Sequence, residues 1–142
     1  MISLAEISDI SEIKDIYLQA SHYQKKLDTR HYWPVQLINS FDFNSEIEKQ
    51  HVWIYRTGNK INLVFFIKIL NDEIWIERLA KNFASPPMKS SIDDILSFSF
   101  LGTKQKNVYL KTTQALFSVY ASRNFEQVGN KEGFIIMRKT IN

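Results

Sequence analysis

The hydrophobic period of this sequence changes near residue 52, and this change limits the folds that the chain can adopt. Before it, apolar residues recur at the spacing of a helix face, at Ile10, Ile13, Ile16, Tyr17 and Ala20. After it, three strand-like segments follow one another, at 52–55, 61–70 and 73–81. In the longest, alternate positions are apolar: Ile61, Leu63, Phe65, Ile67 and Ile69. A helical region followed by strands predicts a sheet with helices packed on it.

The N-terminal half begins with a predicted strand, Ile2–Ile7, and then a helix that ends near Gln24. Asp9 is predicted as the helix N-cap, and Glu12 would complete a variant of the capping box. The rest of this half is predicted as a loop or broken helix at 21–34 and short helices at 35–41 and 45–50.

The C-terminal half follows a regular alternation of elements. The turn signal Thr57-Gly58-Asn59-Lys60 joins the first two of the three strands, and Ser91 can cap a helix with Asp94 at its third position. A strand at 108–112, a helix ending near Arg123 and a closing hairpin at 125–129 and 134–138 complete the order. We therefore predict one α/β (α+β) domain over residues 1–142, with a mixed, mostly antiparallel sheet of about seven strands flanked by about four helices.

Composition excludes several classes of protein. The chain has no cysteine, which rules out disulfides, thiolate catalysis and cysteine metal sites. Its glycines, at 58, 102, 129 and 133, cannot form a P-loop or a dinucleotide-binding fingerprint. The N-terminus lacks the basic and apolar regions of a signal peptide, and Lys68 interrupts the longest apolar stretch, Leu63–Leu70. We predict a cytoplasmic protein without a membrane segment.

Two motifs carry a resemblance to a known family. Residues 109–129, YLKTTQALFSVYASRNFEQVG, contain a tyrosine, Tyr120, five residues before a phenylalanine, Phe125. Residues 74–81, IWIERLAK, precede a polar loop and a helix. Together these segments resemble the GNAT superfamily of acyltransferases, in which a glycine usually precedes that phenylalanine. Asn124 stands there instead, and asparagine is the residue that best replaces glycine in the left-handed conformation after a helix.

The resemblance implies a cofactor site for acetyl-coenzyme A, which would serve as co-substrate. In the family, backbone groups of the fourth strand bind the pantetheine arm, which here implies Leu79, Ala80 and Lys81. A glycine-rich loop at a helix start then holds the pyrophosphate, because helix N-termini attract anions. At the corresponding helix start in this chain lie Lys89, Ser90 and Ser91, which can contribute a positive charge, hydroxyls and backbone N–H groups. Gln114, with Thr113, stands where the family has an asparagine.

The loop at 83–91 departs from the family pattern. It contains no glycine, and Pro86 and Pro87 have no backbone N–H to donate to a phosphate. Asp93 and Asp94 suit the dipole of the following helix but repel an anion. Acetyl-coenzyme A binding and its loss are therefore both open.

Tyr120 and Glu77 are the candidate catalytic residues, and each has a structural alternative. In many family members the matching tyrosine protonates the leaving thiolate, whereas a tyrosine beside Leu116 and Val119 can also be a packed helix residue. A carboxylate on the fourth strand can deprotonate the acceptor amine. The alternative is that Glu77 is a salt-bridged or solvent-facing strand residue near Arg78.

The resemblance implies that Tyr32 and Trp33 belong to the acceptor site, because they lie where the family's first helices form one wall of that site. The alternative is that these two aromatic residues anchor a loop to the core. The histidines, at 22, 31 and 51, have no metal-ligand spacing, and the family needs no metal, so we predict no metal site.

Three functions follow. The first is an acetyl-coenzyme A-dependent N-acetyltransferase, in which a small-molecule or peptide amine attacks the thioester directly. The second is a GNAT-fold binding or regulatory protein that has lost the cofactor. The third, nucleic-acid binding through Lys25–Trp33, is opposed by the modest net charge of +3 and by the scatter of the other basic residues. Exposed strand edges are compatible with a homodimer.

Overall fold

The structure, a computed structural model, describes residues 1–27, 33–71, 73–84, 91–97 and 107–140. Within these described residues, seven strands form one mixed sheet in the order β1-β2-β3-β4-β5-β7-β6, which confirms the predicted architecture. The strands are β1 (Ile2–Leu4), β2 (Val52–Thr57), β3 (Lys60–Leu70), β4 (Glu73–Lys81), β5 (Asn107–Thr112), β6 (Glu126–Lys131) and β7 (Phe134–Thr140). The helices among the described residues are α1 (Ile10–Leu27), α2 (Val35–Ser40), α3 (Phe43–Glu48), α4 (Ser91–Ser97) and α5 (Phe117–Ala121).

The sheet is mixed because β4 and β5 run parallel. Their register starts at Glu73 opposite Asn107 and ends at Ile76 opposite Leu110. The pairs β1–β2, β2–β3, β5–β7 and β6–β7 are antiparallel. The predicted hairpin after β2 is present, and Gly58 adopts the positive φ, 59°, that its tight turn requires.

The start of the first helix differs from the prediction. The first strand ends at Leu4, and Ile7 begins a 3₁₀ helix that leads into α1. Asp9 is not the N-cap: its carboxylate accepts from the backbone N–H of Glu6 at 2.9 Å, which makes it the third residue of a cap that begins at Glu6. Glu12 accepts instead from the backbone N–H of Ile61 at 2.9 Å, so this carboxylate joins the first helix to β3.

Smaller differences concern helix bounds. The helix α1 continues to Leu27, three residues beyond Gln24. The helix α3 begins at Phe43, because Asp42 caps it by accepting from the N–H of Ser45 at 3.0 Å. The last helix is divided into a 3₁₀ helix, Gln114–Leu116, and α5.

The chain divides into two compact units. The first contains Met1–Phe66 and Arg78–Phe98, and the second contains Ile67–Glu77 and Ser99–Asn142. In the first, α1 and β2–β3 supply most of the buried residues, among them Ile13, Ile16, Tyr17, Ile38, Ile54, Val64 and Phe66. In the second, the buried residues include Ile74, Val108, Leu110, Tyr120, Phe125 and Met137. A single domain over 1–142 stays a prediction.

No helix in the described part of the chain is both long enough and apolar enough to cross a membrane.

Candidate active site

The C-terminal end of α5 explains the spacing between Tyr120 and Phe125. The N–H of Phe125 donates to the carbonyl of Tyr120 at 3.2 Å, and the N–H of Asn124 donates to the carbonyl of Ala121 at 3.1 Å. Asn124 has a φ of 68°. These are the two bonds and the left-handed residue of a Schellman motif, which also brings together the side chains at its two ends. The rings of Tyr120 and Phe125 accordingly meet edge to face, with centroids 5.8 Å apart.

The phenol of Tyr120 is held in its neutral form. The residue is 8% exposed. Burial raises the pKa of this phenol to about 12, although the nearby Arg123 acts in the opposite direction. Tyr120 is therefore protonated at neutral pH and can donate a hydrogen bond, as an acid must. Its catalytic role stays a prediction.

The fourth strand continues beyond its pairing with the fifth. The parallel register ends at Ile76, whereas β4 runs on to Lys81, so no β5 partner is described for its last five residues. Asn82 fixes the end of the strand, since its backbone N–H donates to the carbonyl of Asn62 at 2.8 Å and its amide donates to the carbonyl of Ile61 at 2.9 Å. The predicted pantetheine-binding backbone, Leu79, Ala80 and Lys81, lies on this anchored stretch.

Arg78 occupies the point where β4 leaves its partner. Its φ is 52°, a left-handed conformation that residues with a side chain rarely adopt. The hydroxyl of Tyr17 donates to the carbonyl of Arg78 at 2.5 Å. Tyr17 is fully buried, and burial raises the pKa of its phenol far above its ordinary value, so this donor keeps its proton. The backbone of Arg78 is therefore fixed by a buried hydrogen bond.

An aromatic cluster surrounds Tyr17. Its ring contacts Trp33 at 5.3 Å, Phe41 at 5.9 Å, Phe43 at 5.8 Å and Phe66 at 6.4 Å between centroids. The Cζ atom of Arg78 lies 4.2 Å from the centroid of Phe41 and 4.9 Å from that of Phe66. These distances are typical of cation–π contacts. The helical spacing of α1 indicated that Tyr17 is buried, but no local signal assigned Arg78 to these rings.

Glu77 forms an ion pair within the second unit. Its Oε2 lies 3.3 Å from Nζ of Lys68, and the two side chains are 30% and 42% exposed, respectively. The pair is thus partly solvated, and its contribution to stability is small. Its partner is Lys68 rather than Arg78, and the role of Glu77 as a base stays a prediction.

The remaining predicted site residues are divided between described and undescribed parts of the chain. Tyr32, Lys89 and Ser90 lie outside the described residues, and Ser91 is the first residue of α4. Gln114 is exposed at the start of its 3₁₀ helix. Trp33 is half-buried; besides its ring contact with Tyr17, its carbonyl accepts from the hydroxyl of Ser21.

Two polar side chains near these segments bear on ligand binding. Asp94, in α4, accepts from the hydroxyl of Tyr55 at 3.1 Å, so part of its hydrogen-bonding capacity is already used. Thr112, at the end of β5, is 4% exposed, and its hydroxyl has no hydrogen-bond partner among the described residues. A buried hydroxyl without a partner is costly and calls for an explanation, such as a bound ligand.

The described residues contain no group of three or more histidine or acidic side chains that could hold a metal ion.

Solved structures with the same architecture cover nearly the whole chain. A GNAT family acetyltransferase from Listeria monocytogenes has a TM-score of 0.73 at 17% identity, covering 99% of this chain and 94% of its own. The PaiA N-acetyltransferase of Thermoplasma acidophilum, in complex with coenzyme A, has a TM-score of 0.76 at 13% identity, covering 99% and 98%. A GNAT family acetyltransferase from Streptococcus agalactiae reaches 0.79 at 13% identity, covering 100% and 95%.

No protein-family model and no curated protein matches the sequence. The three likenesses are therefore structural, and at identities of 13% to 17% they establish the fold. This chain has the fold of the GNAT acetyltransferases.

Proposed function

We propose that this protein is an acetyl-coenzyme A-dependent N-acetyltransferase. The observation that carries the proposal is the last stretch of β4: its parallel pairing ends at Ile76, yet the strand continues to Lys81, and no described strand pairs with this stretch on the β5 side. Backbone groups on such an edge can bind an extended, amide-containing ligand such as a pantetheine arm. The fold that the chain shares with GNAT acetyltransferases supports the same conclusion.

The backbone of Leu79, Ala80 and Lys81 would bind the pantetheine amides, while Lys89, Ser90 and Ser91 would provide charge and donors to the phosphates. The buried hydroxyl of Thr112 has no hydrogen-bond partner among the described residues, and a ligand could satisfy it.

The reaction forms an amide N–C bond and breaks the thioester C–S bond. Bound acetyl-coenzyme A supplies the acetyl group as a thioester. The acceptor amine loses a proton, and the departing sulfur gains one. Backbone N–H groups of β4 would polarise the acetyl carbonyl, and Glu77 would take the amine proton, directly or through water.

Tyr120 would assist the departure of the sulfur. Its pKa of about 12 ensures that the phenol carries its proton throughout the neutral range. An ordinary thiol has a pKa of about 8.5, so complete transfer from this phenol to a thiolate is uphill. We therefore assign Tyr120 the role of a hydrogen-bond donor to the developing thiolate while the C–S bond breaks. The phenol keeps its own proton, and the released thiolate takes its proton from water.

Thermal unfolding with and without acetyl-coenzyme A tests the proposal, because a ligand specific for the native state must raise the Tm. Thiol release in the presence of a panel of primary amines then tests transfer. We expect a raised Tm and amine-dependent thiol release. An unchanged Tm at millimolar acetyl-coenzyme A, with no thiol release, would reject the enzyme.

Thr112→Val is a sharper variant of the same test. Valine keeps the shape of threonine and removes the unpaired hydroxyl, so the Tm of the free protein should rise. If the hydroxyl binds the ligand, the increment in Tm caused by acetyl-coenzyme A should shrink at the same time. The matched control is Thr57→Val on β2, where the side chain is exposed and neither quantity should change.

The second candidate is a binding or regulatory protein that has lost the cofactor. The glycine-free loop with Pro86 and Pro87 favours it, because these residues remove backbone donors from the place where a pyrophosphate would lie. It predicts no Tm shift with acetyl-coenzyme A and no thiol release.

A further inference from the structure

The guanidinium of Arg78 lies against aromatic rings. Its Cζ lies 4.2 Å and 4.9 Å from the centroids of Phe41 and Phe66, and the backbone of the same residue is held by Tyr17. Phe66 and Tyr17 are fully buried, so these contacts form a rigid support. Side chains that are locked in this way are typical of groups that bind a ligand with defined geometry.

No acid among the described residues neutralises this guanidinium. The ion pairs described for the chain are His51–Glu46, Arg56–Asp9 and Lys68–Glu77. Arg56 is a useful contrast, because it too is partly buried but donates to Asp9 at 2.8 Å. Contacts with ring carbons cannot satisfy the five N–H donors of a guanidinium, and a partly buried charge favours a partner of opposite sign.

The backbone at Arg78 gives a second, independent indication. A φ of 52° is unfavourable for arginine, and the structure maintains it in the middle of a strand. Residues held in such conformations by their surroundings cluster at ligand clamps and active sites. The side chain of this strained residue lies against the aromatic cluster, as the Cζ distances show.

We propose that Arg78 binds the carboxylate of the acceptor, and that the substrates are amines that also carry a carboxylate. This inference rests on the proposed acetyl transfer for the identity of the reaction. A planar guanidinium fork matches a carboxylate through two parallel N–H···O bonds. The half-buried rings of Trp33 and Phe41 reduce hydration nearby and strengthen the pair. Arg78 thereby selects the substrate class.

The competing role for Arg78 is structural: its side chain could simply cover the aromatic cluster. Both roles predict that removing the guanidinium lowers stability. They differ in selectivity, because only a carboxylate-binding residue changes the preference for an acid over the corresponding neutral amide.

The kinetic test uses matched acceptors: phenylalanine and phenylalaninamide, lysine and lysinamide, β-alanine and β-alaninamide. The kcat/KM ratio of acid to amide is measured for the wild type, Arg78→Gln, Arg78→Lys and the control Arg56→Gln. Comparing ratios between proteins cancels the different basicity of the two amines. We expect the Arg78→Gln ratio to fall by about tenfold or more through KM, the size of a lost charge-assisted hydrogen bond. Arg56→Gln should leave the ratio unchanged.

Three outcomes of this test overturn the inference: a wild type that prefers no acid over its amide, a ratio that is the same in the wild type and Arg78→Gln, or a stronger preference for 2-aminoethylphosphonate than for β-alanine. The last would assign the guanidinium to a phosphate-type anion. Arg78→Asn is the second variant, because asparagine tolerates positive φ and should fold even if Arg78→Gln does not.

A binding test separates this inference from the proposed function. Phenylacetate and phenylacetamide are titrated calorimetrically into the protein without acetyl-coenzyme A. Binding of phenylacetate that exceeds that of the amide in the wild type, and is lost in Arg78→Gln, supports the carboxylate site even if no acetyl transfer occurs. Acetyl transfer without preference for acids, together with equal binding of the two probes, rejects the site and leaves the transferase intact.

Discussion

Asn124 and Arg78 have the same unusual backbone conformation, with φ values of 68° and 52°, but the chain stabilises them in different ways. At Asn124 the bonds come from the immediate neighbours, since the Schellman motif lies within residues 120–125. At Arg78 the hydrogen bond comes from Tyr17, 61 residues earlier in the chain.

The difference teaches where a left-handed residue can be recognised. Asparagine is well suited to such a position, so the local sequence around Asn124 predicts its left-handed conformation. Arginine is not suited to it, and nothing in IWIERLAK indicates a positive φ. Strained residues that their surroundings hold in place cluster at functional sites, and Arg78 is held by the distant Tyr17.

The largest effect is expected at the local motif. Tyr120→Phe removes the donor to the departing sulfur, so we expect kcat to fall about a hundredfold or more, while the Tm shift caused by acetyl-coenzyme A changes little. Steady-state kinetics and thermal unfolding measure the two quantities. Tyr109→Phe, whose ring stacks on Trp75 at 4.9 Å, is the matched control. A kcat equal to that of the wild type would leave Tyr120 with a packing role.

The next effect is alkaline destabilisation. Unfolded Tyr120 loses its proton at a pH near 10, whereas the folded protein holds it until a pH of about 12, so ionisation favours unfolding between these values. The free energy of unfolding should decrease by about 1.4 kcal/mol per pH unit in this window from Tyr120 alone. Below pH 10 this contribution is constant. The free energy of unfolding of the wild type and of Tyr120→Phe is measured by urea unfolding at each pH, and the difference between the two proteins isolates the effect of this phenol. If the two free energies fall in parallel as the pH rises, the burial of the phenol is contradicted.

A smaller effect is expected at the distant support of Arg78. Tyr17→Phe keeps the ring in the aromatic cluster and removes the hydroxyl that donates to the carbonyl of Arg78. The free energy of unfolding should fall by about 1 to 2 kcal/mol, because a buried acceptor loses its partner. If the hydrogen bond also positions the guanidinium, the acid-to-amide selectivity should decline with it. Chemical denaturation and the acceptor kinetics report these two effects separately, and Tyr23→Phe, which is exposed, serves as the control.

The sequence predicts the fold better than the site for a physical reason. Periodicity and turn residues are local, so the strand Glu73–Lys81 and the left-handed Asn124 could be predicted. The prediction of Asp9 as N-cap is wrong for two reasons. Glu6 is as plausible a start for the cap as Asp9 when only the sequence is considered. The true partner of Glu12, the N–H of Ile61, is remote in sequence. The contacts of Arg78 with Phe41, Phe66 and Tyr17 are remote as well, and no local pattern encodes them.

The smallest effect tests the shared conformation directly. At each site the alanine and glycine variants both lack the original side chain, so the difference between them isolates the cost of a Cβ atom at positive φ. The free energy of unfolding of the glycine variant should exceed that of the alanine variant by about 1 kcal/mol at residue 78, and by a similar amount at residue 124. Thermal and urea unfolding of the four variants measure the two differences. If the alanine and glycine variants are equally stable at residue 78 but not at residue 124, the strand relaxes to ordinary β geometry once the guanidinium is gone. In that case the arginine side chain imposes the strain. If glycine is more stable than alanine by the same amount at both residues, the backbone hydrogen bond from Tyr17 imposes it.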